Sequence, residues 1–305
     1  MGYEGFQEEI LRRLKDFYGK DVDISVSSVL KNNGKKCDAV YIYPASKKQG
    51  VIPVIYIEEY YEMYKAGTAS MEECIGAIVE AREQNEVKSD VLCLSGKILD
   101  WDSVKDKVYP ILLLETANQE LLEEVVSTRM LDLAIVYIVR EEMEPGGWGS
   151  VKISRQLLEN FGISKEQLHE QAMHNLEQDG YVFLDLEQCV FEQIGIEEIM
   201  EFGRESIGEL QEGKIYILRN KSGLYGAAGI LNQKFLRECT KGKSCYILPS
   251  SVHETIFIPT TSDKRQKELD DMVAEINVMQ VKMEERLSDH SYYYDAKREE
   301  IRILD

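Results

Sequence analysis

A change of apolar period within residues 6–43 restricts what this chain can fold into. Phe6, Ile10, Leu11, Leu14 and Phe17 recur at three-to-four spacing, which is one face of an amphipathic helix. Val22, Ile24 and Val26 then alternate with Asp23 and Ser25, and Cys37, Ala39, Tyr41 and Tyr43 alternate beyond Asn32-Asn33-Gly34. Asparagine and glycine tolerate positive φ, so residues 22–43 read as a β-hairpin. A helix followed by a hairpin must bury helix against sheet. The expectation is an α+β protein with mixed or antiparallel sheets, packed helices and two lobes.

The rest of the chain repeats these signals. A short strand is expected over 51–56, and Ile57, Tyr60, Tyr61 and Tyr64 mark a further helical face. The tyrosines invite a base-stacking or aromatic-cage reading, but at this spacing they read as core between helix and sheet. Ser70 and Glu73 form a capping box for a helix striped by Met71, Cys74, Ile75, Ile78 and Val79. Residues 83–106 turn polar and read as a connection, dividing the chain into an N-terminal hairpin-and-helix lobe (1–98) and a larger mixed lobe (99–305). Within the second, strands are expected over 108–114, where Pro110 suits an edge, and over 131–140, 181–186, 215–219, 245–248 and 255–258. Residues 144–149 read as a turn, and Ser154 and Ser164 as N-caps of two helices. Asp263 precedes a long helix striped by Leu269, Met272, Val273, Ile276, Met279 and Met283, and a last hairpin joins 292–295 to 301–304.

Composition narrows the class of function. With 305 residues and 44% hydrophobic side chains, the chain can bury one large or two medium cores. No stretch approaches the roughly 18–20 apolar residues that span a bilayer. The N-terminus lacks the basic and apolar regions of a signal peptide, and Phe6 stands where myristoylation needs Ser or Thr. Cys37, Cys74, Cys93, Cys189, Cys239 and Cys245 are scattered singly, as free thiols in a reducing compartment are. A soluble cytoplasmic protein with no membrane partner is expected. The net charge of −19 argues against nucleic-acid phosphates as a target. Residues 159–212 carry 14 acidic side chains against Lys165 and Arg204, a net charge of −12. The leading functional expectation is a non-catalytic interaction protein that offers this acidic segment to a basic protein partner.

Several motifs fall short of established chemistry. His169-Glu170-Gln171-Ala172-Met173-His174 spaces its histidines by five, not four, so on a helix the rings point about 140° apart and cannot share a metal. Lys241-Gly242-Lys243-Ser244 ends like a phosphate loop, but Arg237 occupies the required glycine position, and a helix precedes the triplet where a strand should. Cys239 and Cys245 lack zinc-knuckle spacing. No metal and no cofactor is expected. Two segments remain as candidates. Gly223, Gly226 and Gly229 follow a strand at Gly-x-x-Gly-x-x-Gly spacing, which could bring backbone amides to a phosphate or nucleotide, or could be a turn followed by close packing. Ser250, Ser251, His253 and Glu254 gather hydroxyls, an imidazole and a carboxylate in one loop, as a hydrolase needs, or simply cap a turn.

Taken together and in order, Lys31-Asn32-Asn33-Gly34, Ile55-Tyr56-Ile57-Glu58-Glu59-Tyr60-Tyr61, Leu131-Asp132-Leu133-Ala134, Leu248-Pro249-Ser250-Ser251-Val252-His253-Glu254, Met272-Val273-Ala274-Glu275-Ile276-Asn277 and Leu287-Ser288-Asp289 resemble an uncharacterised family. Its members are intracellular proteins of anaerobic Gram-positive bacteria that carry a domain-of-unknown-function label. The resemblance implies that residues 1–305 act as one full-length unit, and it transfers no catalytic residue, ligand or partner.

Overall fold

The change of period near the N-terminus resolves into α1 (Tyr3–Tyr18), β1 (Val22–Leu30) and β2 (Lys36–Pro44). They belong to a computed structural model that describes residues 1–44, 54–93, 97–142, 148–187, 189, 210–249, 251–260 and 266–304. The chain divides into two compact units. Met1–Lys31, Lys35–Val104 and Glu141–Gly149 make the first; Asn32–Gly34, Lys105–Arg140 and Ser150–Asp305 make the second.

In the first unit β1 and β2 pair antiparallel, from Val22 opposite Pro44 to Leu30 opposite Lys36, and β3 (Ile55–Tyr56) adds to β2. Strand side chains alternate between faces, so Ile24, Val40 and Ile42 share one. They are buried with Phe6, Ile10 and Leu14 of α1 and with Met71, Cys74 and Ile78 of α3 (Met71–Cys93). Tyr60, Tyr61 and Tyr64 of α2 (Glu58–Ala66) pack against this core, the last two with ring centroids 5.3 Å from that of Phe6. The capping box of α3 is closed in both directions, Ser70 N–H to Glu73 at 2.7 Å and Glu73 N–H to Ser70 Oγ at 3.2 Å. Once started, α3 continues to Cys93, so the polar stretch expected as a connection from residue 83 is helical there. Glu, Gln, Lys and Arg keep their helix propensity where the apolar period is lost, and neither Pro nor Gly interrupts the run. A short α4 (Trp101–Val104) closes the unit.

The second unit begins with β4 (Val108–Leu114), α5 (Gln119–Glu124), β5 (Ser127–Met130) and the greater part of β6 (Leu133–Glu142) and β7 (Trp148–Lys152), ordered β4-β6-β5 with β7 also paired to β6. Among the described residues β4 pairs only with β6, so Pro110 occupies an edge strand as expected. Ser154 and Ser164 cap α6 (Arg155–Phe161) and α7 (Lys165–Gln178), the latter in a full capping box with Gln167. Asn175 ties α7 to the start of β4 by donating to the carbonyls of Lys105 and Val108. At the end of β6, buried Arg140 makes a two-pronged pair with Asp179 (2.9 and 3.1 Å) and lies 3.8 Å from the Tyr109 ring centroid.

A larger antiparallel sheet follows. It contains β8 (Tyr181–Asp185), β9 (Tyr216–Asn220), β10 (Cys245–Leu248), β11 (Glu254–Pro259), β12 (Tyr292–Asp295) and β13 (Glu300–Arg302), in the order β13-β12-β10-β11-β9-β8. One face, with Tyr246, Leu248 and Tyr293, is covered by Leu269 and Val273 of α9 (Gln266–Met279). Beside the strands of the other face, a 3-10 turn (Gly226–Leu231) packs on β9 and β11 and leads into α8 (Gln233–Thr240). Every pairing assigned is antiparallel, and the fold is α+β. The stripe expected for α9 is corrected: Leu269, Val273 and Asn277 are buried, whereas Met272, Met279 and Met283 are exposed. Polar Asn277 wins the inner face because its amide donates to Ser288 O (2.8 Å) and Asp289 Oδ1 (3.1 Å). The expected strand positions 51–53, most of the 144–149 turn and the Asp263 cap lie outside the described residues.

Asn33 and Asn118 form the buried polar centre of the second unit. Asn33 sits at φ 58°, a left-handed conformation that asparagine accepts. Its N–H donates to Asn118 Oδ1 (2.7 Å), Asn118 Nδ2 donates back to Asn33 Oδ1 (2.8 Å) and to Leu114 O (2.8 Å), and Asn33 Nδ2 donates to the carbonyls of Met283 and Arg286. Asn118→Ala would leave one buried donor and two acceptors of this set short of a partner. It is expected to destabilise the protein by about 3 kcal/mol, read as a lowered urea midpoint with an unchanged m-value.

Candidate functional site

The turn after β9 is closed by its own side chains. Asn220, 2% exposed, donates from Nδ2 to Leu224 O (2.6 Å) and accepts from Ser222 Oγ (3.1 Å), while Ser222 Oγ accepts Leu224 N–H (3.3 Å). Gly223 has φ +69°, where a side chain is strained. Gly226 and Gly229 are required for another reason. A β-carbon on Gly226 would stand 2.5 Å from His253 O and 2.6 Å from Asn220 N, and one on Gly229 would stand 2.6 Å from the Tyr181 ring. Backbone and ring thus occupy the space beside these two glycines. Several amides that could cradle a phosphate are already engaged: Gly223 N–H with Asn220 O, Ala227 N–H with Val252 O and Ala228 N–H with Tyr225 O.

The fold brings the other candidate loop to this turn. Ser250 lies outside the described residues. Ser251 Oγ accepts His253 N–H (3.0 Å), and Ser251 N–H donates to Glu254 O (3.4 Å). Nδ1 of His253 accepts the backbone N–H of Tyr225 (3.2 Å), and the two rings lie 5.7 Å apart. Burial lowers the pKa of His253, against an opposing pull from Glu285 and Glu254. A neutral imidazole whose Nδ1 is an acceptor carries its proton on Nε2. It can donate from Nε2, but it cannot take a proton from a hydroxyl while the Tyr225 bond stands.

The acidic segment is described in part. Glu192, Glu197, Glu198, Glu201, Glu205 and Glu209 lie outside the described residues. Asp179 is consumed by Arg140, and Asp185 faces Lys214 at 3.4 Å. Glu166, Glu170 and Glu177 are exposed on α7, within about 40° of one another around its axis, opposite the buried Leu168, Ala172, Asn175 and Leu176. None of these three glutamates forms an ion pair among the described residues. His169 turns inward, with Nδ1 2.8 Å from Tyr137 Oη, while His174 is exposed. Among the described residues no cluster of His, Cys, Asp and Glu is placed to hold a metal. The Gly242-Lys243-Ser244 turn lines a cleft of about 490 Å³ together with Thr260, Asp295 and Lys297, and Lys243 Nζ there donates to Leu210 O (2.7 Å).

Motif reading missed a fourth cluster, built on residues 288–292. Nε2 of His290 lies 2.9 Å from Asp132 Oδ2, Nδ1 lies 3.1 Å from Ser291 O, and Tyr292 Oη donates to Asp132 Oδ1 (2.8 Å). Asp270 of α9 accepts from both the N–H and the hydroxyl of Ser291, at 2.7 and 2.6 Å. No spacing rule links residues 132, 270 and 290. The only signal was that Asp132, Asn277 and Ser288 stand in stretches that carry the family resemblance.

For the glycine turn, Gly226→Ala is expected to lower the thermal midpoint by several degrees. The atoms it meets are backbone and cannot swing away, whereas Gly76→Ala, with open space around it, is expected to be neutral or stabilising; differential scanning fluorimetry of the two variants checks this.

No curated protein and no solved structure matches the chain. Residues 3–296 match a family model described as a family of unknown function (DUF5688). Since this match covers nearly the whole sequence, the chain belongs to the family of unknown function DUF5688.

Proposed function

We propose that this protein is a non-catalytic cytoplasmic interaction module that presents the outer face of α7 to a basic protein partner. The observation that carries the reading is the line of Glu166, Glu170 and Glu177, exposed and without ion pairs among the described residues, on a helix anchored by its capping box and its packing on β4. Carboxylates held on a rigid element complement lysine and arginine with little ordering cost, and at short range they speed encounter as well as hold the complex. The same charge repels nucleic-acid phosphates. Absence from the described residues of any helix long and apolar enough to cross a membrane fits the same reading.

In this reading His253 and the glycine turn are scaffold. The hydrolase alternative draws support from the convergence of residues 251–254 with the turn, but it requires Nδ1 of His253 to be released from Tyr225. His253→Ala is therefore expected to destabilise the fold by about 1–3 kcal/mol, since it orphans the Tyr225 N–H, instead of removing an activity at unchanged stability. Thermal unfolding of the variant, run beside an esterase and phosphatase screen, separates the two.

The partner reading is tested by affinity capture at two salt concentrations. Reversal of Glu166, Glu170 and Glu177 to Lys is expected to weaken a salt-sensitive basic partner about 10- to 100-fold, at roughly 0.5–1 kcal/mol per exposed charge. Reversal of Asp271, Glu275 and Glu300, exposed elsewhere, is expected to leave it bound. Equal loss with both variants, or loss with neither, would overturn the assignment to α7.

A further inference from the structure

The cluster around His290 is not used by the proposed binding face, and its geometry sets the charge of the ring. Both ring nitrogens face oxygens that can only accept, a backbone carbonyl at Nδ1 and a carboxylate at Nε2. Satisfying both requires a proton on each nitrogen, so the ring in this arrangement is an imidazolium. It therefore cannot serve as the base of a catalytic triad, since no nitrogen is left to receive a proton. What it can do is hold. Asp132 follows Leu131, which turns the chain between β5 and β6 at φ 55°, while His290 precedes β12. The ion pair joins those two places, 158 residues apart in sequence.

We propose that His290 and Asp132 form a pH-operated clasp that fixes residues 288–291 to the turn before β6 while the imidazole is charged, and loosens its hold on them when the ring loses its proton. A neutral ring keeps one N–H and must give up one of its two acceptors. With the proton left on Nδ1 the bond to Asp132 is lost, and with it on Nε2 a neutral-donor bond replaces the ion pair, so in either tautomer the hold of His290 on the turn weakens while the Tyr292 bond to Asp132 stays. The groups that face the ring are Asp132 from the β5–β6 turn, Asp270 from α9 and Tyr292 from β12, whose ring centroid is 4.9 Å from that of His290. Each charged neighbour is acidic and favours the protonated form. The side chains of His290 and Asp132 are 29% and 27% exposed, so bulk protons reach the pair without unfolding.

The shifts agree in direction with this geometry. The bond to Asp132 raises the pKa of His290 above its ordinary value, with burial opposing. For Asp132 burial pushes upward, but the bonds from His290 and Tyr292 bring its pKa below its ordinary value. An unfolded histidine titrates near about 6.5. The stabilisation from His290 is therefore complete below about pH 6.5 and is lost as pH rises through the higher folded value. His253, with a lowered pKa, acts in the opposite sense, losing stabilisation as pH falls below about 6.5. Total stability against pH consequently mixes the two, and a site-specific readout is needed.

The experiment is an NMR titration of the ring protons of the full chain, with His290 assigned among the four histidines by its loss in H290Q. It is paired with hydrogen exchange of the peptide spanning 283–292, corrected for intrinsic rates. His290 is expected to titrate above 6.5 in the wild type and to return toward 6.5 in D132N. Wild-type amides at 288–291 are expected to exchange faster as pH passes that titration, by up to about tenfold per pH unit, and in H290Q to exchange fast throughout. A wild-type His290 that titrates at or below 6.5, or one that D132N does not move, overturns the proposal. Corrected exchange that is independent of pH in the wild type does so as well, and needs no variant to fold.

Discussion

Two asparagine amides exchange hydrogen bonds in both directions inside the second unit, and the placement of its loops depends on them. Asn118 holds the carbonyl at the end of β4, and Asn33 holds those of Met283 and Arg286. The chain that follows Arg286 then presents Ser288 O to Asn277, His290 to Asp132 and Ser291 to Asp270. Each such bond adds modestly to stability. Leaving one unmade in a buried place costs more than making it gains, so the set specifies one arrangement of α9, β12 and the β5–β6 turn against near alternatives.

The same logic accounts for the residues that look chemical in the sequence. An imidazole and a serine hydroxyl in a loop are the ingredients of a hydrolase, and a glycine-spaced turn is an ingredient of a phosphate site. In the folded chain Ser251 caps His253, His253 receives the Tyr225 amide, and Gly226 lets the turn lie against the His253 carbonyl. Polar groups that close a turn on one another are not free to act on a ligand. The three carboxylates along α7 differ, since they stand exposed on the face opposite its buried side chains, Glu166 also accepting hydrogen bonds at the start of the helix.

Much of the architecture was legible from spacing. The hairpin around Asn32-Asn33-Gly34, the capping box at Ser70, the N-caps at Ser154 and Ser164 and the edge position of Pro110 all follow from local backbone chemistry, and all stand in the structure. The failures were also local in cause. Loss of the apolar period after residue 83 signals the end of a helix, although propensity carries α3 to Cys93. Along α9 apolar character alone puts the methionines on the inner face, yet Met272 and Met279 are exposed. Asn277 takes that position because acceptors beyond the helix, Ser288 O and Asp289 Oδ1, engage its amide N–H groups.

Sequence by itself determined the class of object: an acidic α+β chain of mixed or antiparallel sheets with packed helices, whose elements begin and end at residues chosen by capping, turn and alternation rules. Those rules act over a few residues, so one strand of text contains them. Tertiary structure alone decided which polar groups are spent and which remain available. His290 meets Asp132 across 158 positions, and Asn33 meets Met283 across 250. Hydrogen bonding reaches only about 3 Å, and without the fold no spacing in the sequence reveals which groups that distance will join.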